Sequence, residues 1–204
     1  DHANGMEKFF EINRKATFYL QEGCGENCYF KKGFIRKYIG IPKGITKKYQ
    51  DRIEYVSGVY TVADGIYLVS HSTPHLEQIG KKEMMYQKTK LGWKPDNFCH
   101  EQSLVLDTDG GLVIFNSCSH GGVVNIINEV KAAFPNKKIT ALIGGFHIFK
   151  HPEAEIRELA KLIKETGIER IYTGHCSKER GYRILREELG DMAGQFYVGM
   201  ELEF

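Results

Sequence analysis

Three histidines of this chain share one local context. Residues 112–120 (LVIFNSCSH), 139–147 (ITALIGGFH) and 171–175 (IYTGH) each run from an apolar stretch through small polar residues or glycine into an imidazole. His100 instead stands just ahead of such a stretch, and the chain opens with Asp1-His2. Neutral imidazole is a preferred ligand of zinc and of first-row metals in general. One histidine at a strand end more often does no more than hydrogen-bond a backbone carbonyl. The same context met at three places is a stronger signal. If the strands share one edge, His120, His147 and His175 meet at one rim, where sites collect in layered α/β folds, and a site with more than one metal ion becomes feasible. Cys118 and Cys176 lie beside these histidines. In a chain with an odd count of cysteines at scattered spacings they read as reduced thiols, of which some could be metal-bound.

Residues outside that pattern carry less. His71, His75 and His151 sit in polar or proline-flanked segments and read as surface residues, His75 at most at the edge of a site. Cys24 and Cys28 could bind a metal, but no second pair stands near them in the sequence, so a structural zinc is not expected there. Gly121-Gly122 opens a helix directly after His120. Exposed N–H groups and the helix dipole there would favour an anionic ligand such as a phosphate ester, and a simple turn of the chain explains the pair equally well. The glycines before His147 permit close backbone approach.

Hydrophobic periodicity supplies the elements that must hold these groups. Apolar residues at helical spacing over 6–12 lead into a strand at 16–20. Residues 21–52, rich in glycine, lysine and aromatics, read as a loop-rich, lid-like insertion whose stretch 29–49 would set substrate selectivity. Short strands are predicted at 53–56, 59–62 and 65–69, followed by a polar stretch at 81–94. Next comes a hairpin, 102–106 and 112–115, around Asp107-Thr108-Asp109-Gly110-Gly111. From there helix and strand alternate: a helix over 121–134, a strand over 139–143, a proline-started helix over 152–166, a strand over 168–172, a helix over 178–189 and a last strand over 195–198. No internal repeat is visible. The pattern predicts one domain over 1–204, a mixed sheet with helices packed outside.

Composition narrows the class. A chain of 204 residues with 42% hydrophobic content can bury one sizeable core. A net charge of +2 gives no field that would select nucleic acid or a membrane surface. The apolar runs fall well short of the ~20 residues a membrane helix needs, and no signal peptide is legible. The expectation is a cytoplasmic protein acting on a small molecule.

Asp1-His2-Ala3-Asn4-Gly5 resembles the second half of the His-x-His-x-Asp-His motif of the metallo-β-lactamase superfamily. The segments 100–104 (HEQSL), 115–122 (FNSCSHGG), 143–147 (IGGFH) and 173–176 (TGHC) are similar, in the same order, to those of one branch of it. That branch is named for 7,8-dihydropterin-6-methyl-4-(β-D-ribofuranosyl)aminobenzene-5'-phosphate synthase, and the likeness spans nearly the whole chain. It implies an α/β fold of the αββα sandwich type, mixed sheets with helices outside, lacking its first strands. The domain is expected to be N-terminally incomplete, because the two histidines of His-x-His should precede Asp1. By the same resemblance Asp1 and His2 ligate a second metal, His175 completes its shell, and Asp1 also holds the attacking water. For the first metal the third imidazole is His100 or His120. Cys118 falls where other branches place a bridging aspartate or a metal-bound cysteine; a thiolate there suits zinc, whereas a Cys-Ser-His turn could send only His120 inward. His147 has no ligand counterpart in that scheme. It is expected to polarise substrate or hydrogen-bond a phosphate, with Gly121 and Gly122 as further substrate-binding residues.

The resemblance thus implies a metal-dependent hydrolase with two divalent ions, zinc first and manganese or iron as alternatives, acting through activated water on a phosphorylated or ester-type small molecule. The branch name instead implies a condensation on a pterin phosphate. A non-catalytic metal-binding module is the rival kept open by the missing His-x-His. Flavin-dependent di-iron chemistry ranks low, since the chain offers few carboxylate ligands and no flavin-binding domain. A chain extended upstream should bind about two transition-metal ions.

Overall fold

The alternation of apolar strand and amphipathic helix read from the second half of the sequence is what the fold contains. The computed structural model describes residues 3–204. In chain order the elements are α1 (Met6–Ile12), β1 (Phe18–Gln21), β2 (Cys28–Lys32), β3 (Ile35–Tyr38), α2 (Ile45–Lys48), β4 (Ile53–Val56), β5 (Val59–Ala63), β6 (Ile66–Ser70), α3 (Glu77–Lys82), β7 (Met85–Thr89) and β8 (Gly92–Pro95). They continue with β9 (Gln102–Thr108), β10 (Gly111–Phe115), α4 (Val123–Ala133), β11 (Ile139–Gly144), α5 (Glu153–Glu165), β12 (Arg170–Thr173), α6 (Lys178–Leu189) and β13 (Ala193–Gln195). Backbone contacts group them into two compact units, Asp1–Ser57 with Thr73–Glu101, and Gly58–Ser72 with Gln102–Phe204.

The second unit is a seven-stranded sheet in the order β13-β12-β11-β10-β9-β6-β5. β10 to β13 run parallel, each to its neighbour, while β9 is antiparallel to both β10 and β6. Strand periodicity divides β10 between two faces. Leu112 and Ile114 join Leu142 and Ile171 under the helices, against Ile126, Ile127 and Val130 of α4, Ile156, Ala160 and Ile163 of α5, and Ile184 and Leu185 of α6. Val113 packs on the opposite face with Ala141 and Tyr172. Strands buried on both faces read as unbroken apolar runs, which is why β10 and β11 were legible. The last strand lies two residues earlier than predicted, because Ala193 pairs with Ile171 and Gln195 with Thr173.

The first unit holds a four-stranded antiparallel sheet, β3-β2-β7-β8, and a parallel pair, β1-β4. Its apolar clusters are small: Met6, Phe10 and Ile45 in one, Leu76, Met85 and Phe98 in another. The stretch 21–52 is more ordered than the loop-rich insertion expected, and 81–94 contains the β7–β8 hairpin instead of polar coil. Lysines and aromatics there stack on each other: Tyr29 lies edge-on to Trp93, Arg36 stands over Trp93 and Lys43 over Tyr38.

Candidate metal centre

Because β10, β11 and β12 are parallel neighbours, with Phe115 level with Ile143 and Gly144 level with Thr173, their carboxyl ends open on one edge. Each is followed by a non-glycine residue in the left-handed region: Ser119 (φ 54°), His147 (φ 52°) and His175 (φ 48°). Such a conformation costs about 1–3 kcal/mol per residue and persists only where the surroundings enforce it, most often at functional sites. Three such residues follow neighbouring strands at one sheet edge.

The loops bring together Cys118, His147 and Cys176, whose donor atoms lie within 4.8 Å of one another. Donors sharing one tetrahedral zinc stand roughly 3.3–3.8 Å apart, given zinc–nitrogen and zinc–sulfur bonds of about 2.0 and 2.3 Å. A small closing movement suffices. The His147 N–H donates to Cys176 Sγ at 3.1 Å. Cys176 has its pKa pulled down to about 4, first by the hydrogen bond with the Cys118 thiol; burial opposes this, and the ring and N–H of His147 reinforce it. A thiolate is the ligating form of cysteine. Ser119 Oγ and His147 Nδ1 are buried and form no hydrogen bond of good geometry among the described residues.

The approach of Cys176 depends on what stands opposite. A Cβ on Gly145 would sit 2.6 Å from Cys176 Sγ and 2.9 Å from the Ser117 carbonyl, so only glycine fits there. Behind the thiol, the Phe146 N–H donates to Ser177 Oγ at 3.1 Å, and Ser177 Oγ shares a hydrogen bond with Thr173 Oγ1 at 2.6 Å. Both hydroxyl residues are fully buried and tie the end of β11 to the end of β12.

The sequence-predicted residues fall as follows. Asp1 and His2 lie outside the described residues. Cys118 is buried within the cluster, and the His120 ring lies 4.6 Å from that of His147. His147, expected to polarise substrate or hydrogen-bond a phosphate, stands among the thiols as a potential donor. His175 is exposed and opens a short 3-10 turn, His175–Ser177, in which it is Cys176 that turns inward. Cys176, read from the sequence as a reduced thiol that could be metal-bound but given no definite place in the site, is the third member of the cluster. Gly122 (φ 96°) is the N-cap of α4. Gly121 makes room for another residue: a Cβ there would lie 2.4 Å from Nε2 of His71.

That contact corrects the reading of His71 as a surface residue. Its side chain is 5% exposed, with Nδ1 2.8 Å from Oε2 of the equally buried Glu129, whose Oε1 accepts the Ser72 N–H. Glu129 is buried in α4 among its apolar residues. His75 is exposed as expected. His100 belongs to the first unit, where Nε2 lies 3.1 Å from Asp96 Oδ2 and the ring joins Asp96 and Cys28 in a second group of donors within 4.8 Å. Burial works against both charges, but the His100–Asp96 hydrogen bond prevails, holding His100 well above the usual histidine range and Asp96 below the usual carboxylate range.

An open hollow of about 460 Å³ adjoins the strand ends, lined in part by Asn116, Ser117 and Gly144 of the cysteine- and histidine-bearing loops. It offers space for a small molecule.

A mixed sheet with helices on its face and thiols and imidazoles at adjoining strand ends is a metallo-β-lactamase fold. The chain superposes on the crystal structure of Tm1679, a metal-dependent hydrolase of the β-lactamase superfamily, with a TM-score of 0.79, covering 94% of this chain and 73% of that one at 24% identity. In sequence the chain is similar to the 7,8-dihydropterin-6-methyl-4-(β-D-ribofuranosyl)aminobenzene-5'-phosphate synthase of Methanocaldococcus jannaschii, 30% identical over 109 residues, 53% of this chain. The match spans 37% of that relative's length. No protein-family model matches the chain. Among the described residues no helix is long and apolar enough to cross a membrane.

Proposed function

We propose that the chain carries the strand-end half of a metal-dependent hydrolase centre acting on a phosphorylated or ester-type small molecule. The observation that carries this reading is the convergence of Cys118, His147 and Cys176 at the carboxyl ends of parallel strands. The donor set fits a zinc-type ion: two thiols and an imidazole, with a buried ring nitrogen unsatisfied among the described residues and a glycine clearing the approach. When bound, a divalent ion there would acidify a coordinated water and stabilise charge developing on the substrate.

The protein's own groups have distinct parts. Cys118, His147 and Cys176 hold one ion. His120, with its ring against His147, is the third imidazole that the resemblance left between it and His100, since His100 is engaged with Asp96 in its own unit. His175, with Asp1 and His2, serves the second ion, as the resemblance implies, and Asp1 orients the attacking water. Gly121 and Gly122, at the start of α4, offer backbone N–H groups to an anionic substrate. Free thiols at all five cysteines accord with a reducing compartment, and we place the protein in the cytoplasm.

The relative's name favours one second reading, a condensation on a dihydropterin phosphate. Both are tested on the chain extended upstream. Zinc loading should allow hydrolysis of a chromogenic phosphodiester, and His147→Ala or Cys176→Ser should lose metal at this centre and reduce kcat/KM by roughly 10²-fold or more. Turnover of a dihydropterin diphosphate with an aromatic amine, without phosphodiester hydrolysis, would establish the condensation instead. A well-folded extended protein in which His147→Ala changes no metal content would end the metal-centre reading.

A further inference from the structure

We propose that Cys24, Cys28, Asp96 and His100 form a second, structural zinc site in the first unit, independent of the reading above. No second pair stands near Cys24 and Cys28 in the chain; the fold brings Asp96 and His100 to Cys28. Cys28 opens β2 and faces Gln87 of β7 in register. Gln87 Nε2 in turn donates to Asp96 Oδ1 at 2.8 Å, and that oxygen also accepts the Phe98 N–H at 2.9 Å. One carboxylate oxygen is thus fixed by the protein, and the other, Oδ2, is aimed at His100.

Phe98, between them, is held at φ 54°, a strained turn in a bulky residue that brings Asp96 and His100 to the same point. Donor atoms of Cys28, Asp96 and His100 lie within 4.8 Å of each other. The Asp96–His100 separation of 3.1 Å is close to the roughly 3.3 Å expected of oxygen and nitrogen ligands on one tetrahedral zinc. Cys24 is folded back by its N–H bond to the Gln21 carbonyl, and its half-buried thiol is within electrostatic reach of His100, Cys28 and Cys99. Cys99 Sγ packs against Gly23 at the border of the cluster.

A buried aspartate–histidine pair would account for two of these side chains, but not for the Cys28 thiol that meets them, nor for the Cys24 thiol within electrostatic reach of both Cys28 and His100. One zinc ion accounts for all four, with Gln87 and the Phe98 N–H as the outer groups that orient the carboxylate. The gain is stability. The site would tie the entry of β2 to the segment after β8 in a unit whose apolar clusters hold only a few residues each.

The test is differential alkylation of the folded full chain, with zinc present and after chelation, read by peptide mass spectrometry. Cys24 and Cys28 should be protected by zinc and labelled after its removal. The Cys118→Ser, Cys176→Ser double variant, which removes both thiols of the strand-end cluster, should retain this protection and, loaded with cobalt, should keep a thiolate-to-cobalt charge-transfer band that adding Cys24→Ser and Cys28→Ser abolishes. Labelling of Cys24 and Cys28 that is the same with and without zinc would overturn the site. So would a cobalt band that disappears in the double variant.

Discussion

At the scale of single residues, the strand-end cluster depends on a hydroxyl that never touches it. Ser177 Oγ accepts the Phe146 N–H and pairs with Thr173 Oγ1 in a place closed to water. Ser177→Ala leaves a buried amide and a buried hydroxyl short of a partner, which costs about 1–3 kcal/mol. It also frees the segment that carries His147, and removing such an outer hydrogen bond typically weakens metal affinity about 10-fold or more. Urea denaturation and a zinc titration should therefore both move, while Ser119→Ala, which removes a hydroxyl with no hydrogen bond among the described residues, should leave stability nearly unchanged. An unaltered zinc affinity in Ser177→Ala would show that the Thr173–Ser177 pair is packing alone.

At the scale of elements, the short helix α2 is held from outside. Glu26, in the turn between Cys24 and Cys28, accepts the Gly44 N–H at 2.5 Å, the Thr46 N–H at 3.3 Å and the Thr46 hydroxyl at 2.7 Å, capping a four-residue helix too short to hold itself. Burial raises the Glu26 pKa, but those bonds and the Lys43 charge outweigh it, so the folded value lies below the ordinary one. The stabilisation is then present above the unfolded pKa of about 4.3 and disappears as pH falls through the lower folded value. Glu26→Gln should be less stable than the parent at neutral pH and converge with it in acid; a gap independent of pH would mean the charge plays no part. The same turn shows what the sequence concealed. α4, α5, α6 and the β9–β10 hairpin were legible because long periodic apolar runs are self-declaring. The β2–β3 and β7–β8 hairpins were not: their buried positions alternate with lysines and tyrosines, and their order comes from pairings such as Tyr29 with Tyr86 across distant sequence. The strand-end histidines stand out in the sequence by their shared local context, but that context does not show that His175 is exposed and Cys176 beside it buried. Likewise, the partners of Cys28 and His71 are distant in sequence and were invisible to a local reading.

At the scale of the molecule, the two units are stabilised by different means, and this predicts how the chain comes apart. The second unit packs three helices on a seven-stranded mixed sheet with a continuous apolar core. The first relies on an antiparallel sheet, cation–aromatic stacks and clusters of three buried residues. Its stability should be set by the ion proposed between Cys24, Cys28, Asp96 and His100. Free zinc at a thousand times its Kd adds about 4 kcal/mol to whatever it binds only when folded. Hydrogen exchange in rising urea should accordingly show β2 and β7 opening before β10 and β11 in the zinc-free chain, with zinc delaying that opening. Cys28→Ser should cancel the delay in β2 and β7 while leaving β10 and β11 as they were, and Cys176→Ser should leave the delay in β2 and β7 intact. If Cys28→Ser shifted all four strands together, a separate metal-held unit could not be the reason, because a tether confined to β2 and the segment after β8 stabilises the strands it joins and leaves β10 and β11 as they were.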